Sequence, residues 1–245
     1  RLLDGLERAS ACLRARLQPA LLVSGRGGRL ARPRPRLRAC SASSGLSKFL
    51  WLTQNVALEN AAHFMHQADW LSALLTGRGG ISDYHNALKT GYDIELLCWP
   101  AWVLNLPHAD LLPHVLAPGT VIAEISPALA AHFNINPGCT IHAGTTDSIA
   151  AFIATGASQP GEAVTSLGST LVLKIISEQP VSAPQFGIYS HRLGNFWLAG
   201  GASNSGGAVL RQFFSDAQMQ AMTSRLSPEH PTGLDYYPLP RMGER

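Results

Sequence analysis

HAGTTDSIAAF, residues 142–152, places one carboxylate, Asp147, between Thr145 and Thr146 on one side and Ser148 on the other. Before it, Cys139 to Gly144 is short and apolar and reads as a buried strand. After it, Ser148 to Thr155 is Ala-rich and reads as a helix. Asp147 therefore falls at a strand–turn–helix junction. In open α/β folds, ligands collect beyond the carboxyl ends of strands, where such junctions lie. Two roles fit the position. The acid can cap the helix, because its oxygens accept otherwise unpaired N–H groups. It can also do chemistry, which would require a phosphate cradle and a second polar loop elsewhere in the chain.

Two Gly-rich turns downstream answer that requirement. EAVTSLGSTLVLKIIS reads as two strands joined by a glycine turn at Leu167–Ser169, within SLGST (166–170). FWLAGGASNSGGAVLRQFF reads as a strand, a Gly-rich bend within GGASNSGG (200–207), then a helix. Small residues let backbone N–H groups approach phosphate oxygens. Upstream, the stretch from Ser41 to Gly77 reads as helical. Leu46, Phe49, Leu50 and Thr53 carry the 3–4 spacing, Ala68 to Leu75 repeats it, and Gly77 is placed to stop it. GGISDYHNALKTGYD reads as a loop opening a short helix, capped by Ser82 or Asp83. Residues 99–140 alternate short helices with Pro-Gly turns. Strands and helices alternate along the chain, so the class is α/β.

Composition sets the bounds. The chain has 245 residues, and 46% hydrophobic content is enough for a sizeable core. There is no apolar run of about 18 residues to span a membrane, and the first residues lack the order of a secretory signal. Cys12, Cys40, Cys98 and Cys139 form no C-x-x-C, which argues against a zinc site or disulfide framework and favours a reduced cytoplasm. Charge is uneven. Residues 1–38 hold ten arginines, no lysine, and only Asp4 and Glu7, a net +8; the other 207 residues carry nine bases and fourteen acids, a net −5. The head has no aromatic to stack on a base. A solvated, poorly ordered or non-native segment is a better reading than a nucleic-acid tail. The nine histidines show no H-x-x-x-H beside an acid, and no G-x-S-x-G elbow is present. Trp51, Trp70, Trp99 and Trp102 read as core. Asp83 and Lys89 fit either a substrate cleft or a solvated loop.

The ordered set HAGTTDSIAAF, SLGST and GGASNSGG resembles the FGGY carbohydrate kinases. The likeness extends through DWLSALLTG (69–77), SDYHNALKTGYD (82–93) and DYYPLP (235–240), covering roughly residues 39–245. Within the family it is most similar to the xylulokinase and ribulokinase group. The resemblance implies a ribonuclease-H-like fold of the actin and hexokinase type, present here as a fragment. It implies three parts: the Arg-rich head 1–38, a partial sugar-binding N-terminal domain 39–199, and the start of a nucleotide-binding C-terminal domain 200–245. It also implies ATP and Mg²⁺ as co-substrate and cofactor, and a ketopentose such as D-ribulose or D-xylulose as acceptor. By the same resemblance Asp147 is the general base, with Thr146, Ser148 and Asp83 on the sugar. Gly168, Ser169, Thr170, Gly200 and Gly201 fall on the nucleotide side, and no side chain is implied as a metal ligand. One departure is plain: the family's D-x-G-T-[ST] turn has no counterpart in this sequence. The alternatives are a catalytically inactive kinase remnant that binds sugar, or a nucleic-acid-binding protein acting through its basic head.

Overall fold

The computed structural model describes residues 44–183, 186–227, 229–231 and 233. The Arg-rich head expected at 1–38 and the DYYPLP stretch lie outside them. The chain divides into two compact units, 1–150 and 151–245.

The first unit opens on α1, Gly45–Asn55. Leu46, Phe49 and Leu50 recur at i, i+3 and i+4, so one face is apolar, and all three are buried. Ser44 starts the helix by accepting the Ser47 N–H at 3.1 Å. Leu111 completes this core, with Phe64, Trp102 and Leu106 packed against it. Each fully buried Leu or Phe contributes about 1.5–3 kcal/mol. Gly45 has no room for a side chain: a Cβ there would lie 2.5 Å from Thr90 Oγ1.

The helical reading from Ser41 to Gly77 needs correction. Between α1 and α2, Gln67–Thr76, the chain is irregular from Val56 to His66. Tertiary contacts override local propensity here. The Phe64 N–H donates to Leu111 O at 2.7 Å, and its ring meets Phe49 edge-on at 5.1 Å. α2 ends as expected at Gly77, whose φ of 75° is a left-handed cap. Its inward residue is Asp69, while Trp70 is 48% exposed and so is not core.

β1, Ile81–Asp83, pairs in parallel with β2, His114–Leu116. α3, Tyr84–Ala87, follows β1 directly. β3, Val121–Glu124, runs antiparallel to β4, Thr140–His142, with α5, Pro127–Phe133, between them; the short α4 is Ala101–Leu104. β4 is not the buried strand expected at 139–144. Among the described residues it has a single partner strand, and Thr140 and His142 face solvent. There the two side chains bond each other at 2.9 Å, and His142 Nδ1 meets Gly119 O at 2.7 Å. α6, Asp147–Ile153, begins in this unit.

The second unit carries an antiparallel sheet ordered β5-β6-β8-β7: Ala163–Leu167, Leu171–Ser177, Phe196–Ser203 and Tyr189–Leu193. Ile176, Leu198, Ala199 and Val209 are buried in it. Gly200 and Gly201 are not at a bend. They sit within β8, opposite Lys174 and Leu173, because the strand runs on to Ser203 before it turns. α7, Gly207–Leu210, and α8, Asp216–Thr223, follow.

Candidate functional site

The junction between β4 and α6 is tied down at both ends. Ala143 donates to Thr120 O and accepts from the Gly119 N–H, each at 2.8 Å. Thr146 O accepts the N–H groups of Ile149 and Ala150, closing the first turn of α6. Asp147 occupies that turn, exposed, with Oδ1 accepting the Ser148 N–H at 2.7 Å. One carboxylate oxygen thus meets the helix start while the side chain stays open to solvent. The capping and chemical roles are therefore compatible at this residue. Ser148 is exposed beside it. Thr146 is only 6% exposed, and its hydroxyl is covered and has no hydrogen-bond partner among the described residues.

Beneath the junction lies a polar layer that the sequence reading only partly anticipated. Asp83 is 2% exposed and caps α3, with Oδ1 accepting the N–H groups of His85 and Asn86 at 2.8 and 3.0 Å. Its Oδ2 accepts the Asn86 amide. The expected capping role is thus seen, and both oxygens are engaged within the chain. His85, itself 2% exposed, places Nδ1 2.7 Å from Thr145 Oγ1 in the junction. Asp69 lines a cavity of about 30 Å³ with Ser82, Asp83, Ala143 and Gly144. That is room for about one water molecule. Burial, with Asp83 nearby, pushes the Asp69 carboxyl up to about 6, against the opposing bonds from the His66 N–H and Ser82. Burial, aided by Lys89 and Lys48 and opposed by Asp83, pulls His66 down to about 4. Asp69 had one legible signal: it stands three residues after His66, at the N3 position of a capping box. His85 had none, since its partner is 60 positions away.

In the second unit the two Gly-rich stretches meet, though not through the residues first singled out. Gly168–Thr170 turns from β5 into β6, with the Gly168 N–H on Thr170 O at 3.1 Å. The start of α7 docks on this turn: Gly207 N–H donates to Gly168 O at 2.8 Å and Ala208 N–H to Ser169 O at 3.3 Å. Gly206 makes the approach possible, since a Cβ would stand 2.5 Å from Ser169 O and 2.6 Å from the Thr170 backbone. Gly168, Ser169 and Thr170 are thus joined to Gly206–Ala208, while Gly200 and Gly201 stay in the sheet. Among the described residues no three of His, Cys, Asp or Glu gather as a metal set. Nor is any helix there long and apolar enough to cross a membrane.

The fold is that of the sugar kinases of the actin and hexokinase type. The structure of a xylulose kinase from Rhodospirillum rubrum superposes with a TM-score of 0.72 at 21% identity, covering 92% of this chain and 46% of that one. Among curated proteins, the xylulose kinase of Haemophilus influenzae is 27% identical over 151 residues, 58% of this chain and 30% of that protein. The gluconokinase of Bacillus subtilis is 24% identical over 187 residues, 73% and 36% respectively. No family model matches the chain. Each of these relatives is a carbohydrate kinase, and the chain spans about a third of the length of the curated relatives it matches.

Proposed function

We propose that the protein takes part in ATP-dependent phosphorylation of a sugar, a ketopentose such as D-ribulose or D-xylulose, with Asp147 as general base. The observation that carries this reading is the exposed Asp147 carboxylate, held at the first turn of α6 by a junction pinned on both sides. A sugar hydroxyl is a weak nucleophile until its proton is removed. A carboxylate within hydrogen-bond reach accepts that proton as the oxygen bonds to the γ-phosphorus and the bond to the ADP oxygen breaks. Ser148, exposed one residue on, is placed to hydrogen-bond the sugar; Thr146 would have to uncover its hydroxyl to do so.

The Gly168–Thr170 turn, buttressed by Gly206–Ala208, is the stretch we assign to the nucleotide's phosphates. The Gly168, Gly207 and Ala208 N–H groups are spent on the turn itself, so the cradle would rest on other groups. Mg²⁺ accompanies ATP in such transfers. Among the described residues no three of His, Cys, Asp or Glu gather as a ligand set. The relatives' names support a sugar or sugar-acid acceptor, and the sequence resemblance supports the ketopentose. Assaying the protein with ATP against a panel of ketopentoses, polyols, aldoses and gluconate tests this. Turnover should be fastest on a ketopentose; turnover confined to glycerol, an aldose or gluconate would overturn the substrate class.

A further inference from the structure

We infer that His85 is a positioning residue for the proposed base, fixing the β4–α6 junction through Thr145. The inference rests on Asp147 acting as that base. The physical chain is short. β1 is anchored by its parallel pairing with β2. Asp83, its last residue, holds the His85 backbone by accepting its N–H at 2.8 Å. The imidazole is 2% exposed and packs edge-on against Tyr84 at 4.7 Å, so it has little freedom to turn. Its Nδ1 then meets Thr145 Oγ1 at 2.7 Å, a short bond in a partly buried place. Thr145 lies two residues before Asp147, in the stretch between the Ala143 bonds and the first turn of α6. Among the described residues, the His85 bond is what ties a side chain of residues 144–146 to the rest of the unit. Small displacements of a catalytic group are costly: about 1 Å can lower rate by about 10²-fold. His85 touches neither sugar nor nucleotide in this scheme, and acts only through Thr145.

The test uses His85→Leu, His85→Asn and Thr145→Val, with the double variant His85→Leu/Thr145→Val. Asparagine keeps a polar atom near the Nδ1 position, while leucine keeps bulk without it. Expected are losses of about 10–100-fold in kcat for His85→Leu and for Thr145→Val, with the sugar Kd changed less than about threefold. The double variant should be no worse than either single one, because both remove the same bond. His85→Asn should restore kcat to within about threefold of the unsubstituted protein. A His85→Leu protein that melts earlier but keeps its kcat overturns the inference, as do losses that multiply in the double variant. Asp147→Asn run alongside separates the two claims. If it retains turnover, the base assignment fails; if it loses turnover while His85→Leu does not, only the positioning role fails. A protein with no turnover on any sugar sinks the kinase reading, and hydrogen exchange then decides the link. Faster exchange of the 144–148 amides in His85→Leu and Thr145→Val supports it, and unchanged exchange removes it.

Discussion

Replacing Asp69 by asparagine, and separately His66 by asparagine, should uncover two opposing pH dependences that cancel in the unsubstituted protein. Asp69 has its carboxyl raised by burial from 3.8 to about 6. The folded state therefore holds that proton more tightly than the unfolded chain. The resulting stability is full below about pH 4 and is lost as pH rises through 6. His66 is moved the other way by burial, from 6.5 to about 4. The folded state prefers the neutral ring, so its contribution is full above about pH 6.5 and is lost as pH falls through 4. At 1.36 kcal/mol per pH unit each effect has a ceiling of about 3 kcal/mol. Relaxation and partial solvent access bring the expected size to about 1–3 kcal/mol. The groups facing the pair are Lys48, Lys89 and Asp83 for His66, and Ser82 and Asp83 for Asp69. Asparagine caps helices well, so His66→Asn keeps α2 started. Urea unfolding followed by tryptophan fluorescence from pH 4 to 7 is the assay. Asp69→Asn should gain stability with rising pH relative to the unsubstituted protein, and His66→Asn should lose it. Superimposable profiles for all three would refute the reasoning.

Three further outcomes are expected. Phe49→Ala should cost about 3–5 kcal/mol in denaturant unfolding, because Phe49 is 1% exposed and central to the α1 core. Gly206→Ala should cost about 1–3 kcal/mol, read in the same way, since its Cβ would strike the Ser169 and Thr170 backbone of the proposed phosphate turn. A variant as stable as the parent would show that the α7 docking is looser than drawn. His85→Asn should outperform His85→Leu in kcat, as set out above.

Much of the local structure could be read from the chain. The Leu46–Phe49–Leu50 spacing, the Gly77 stop, the Asp83 cap and the Gly168 turn are local signals, complete within about seven residues. What escaped is non-local. The break at Val56–His66 arises from Phe64 pairing with Leu111, which no window around Phe64 reveals. β1, β2 and β3 span only three or four residues each, too short for periodicity to register. The apolar run before Asp147 suggested burial, but among the described residues β4 has one partner strand, and its Thr and His side chains turn outward. At the candidate site, Asp147 could be singled out because acid, threonines and helix lie in one stretch. His85 could not, because its partner Thr145 is brought close only by folding, and Asp69 offered only its spacing from His66, its burial coming from the fold.

The most direct test of the proposed chemistry is the turnover of Asp147→Asn on the ketopentose the parent protein prefers, measured beside the sugar Kd. Asparagine keeps the size, the polarity and the capping reach of the side chain at the start of α6 but cannot accept the proton. A base role predicts a kcat lower by about 10²–10⁴-fold with the sugar Kd nearly unchanged. A near-normal kcat would contradict it and leave Asp147 as a helix-start residue alone.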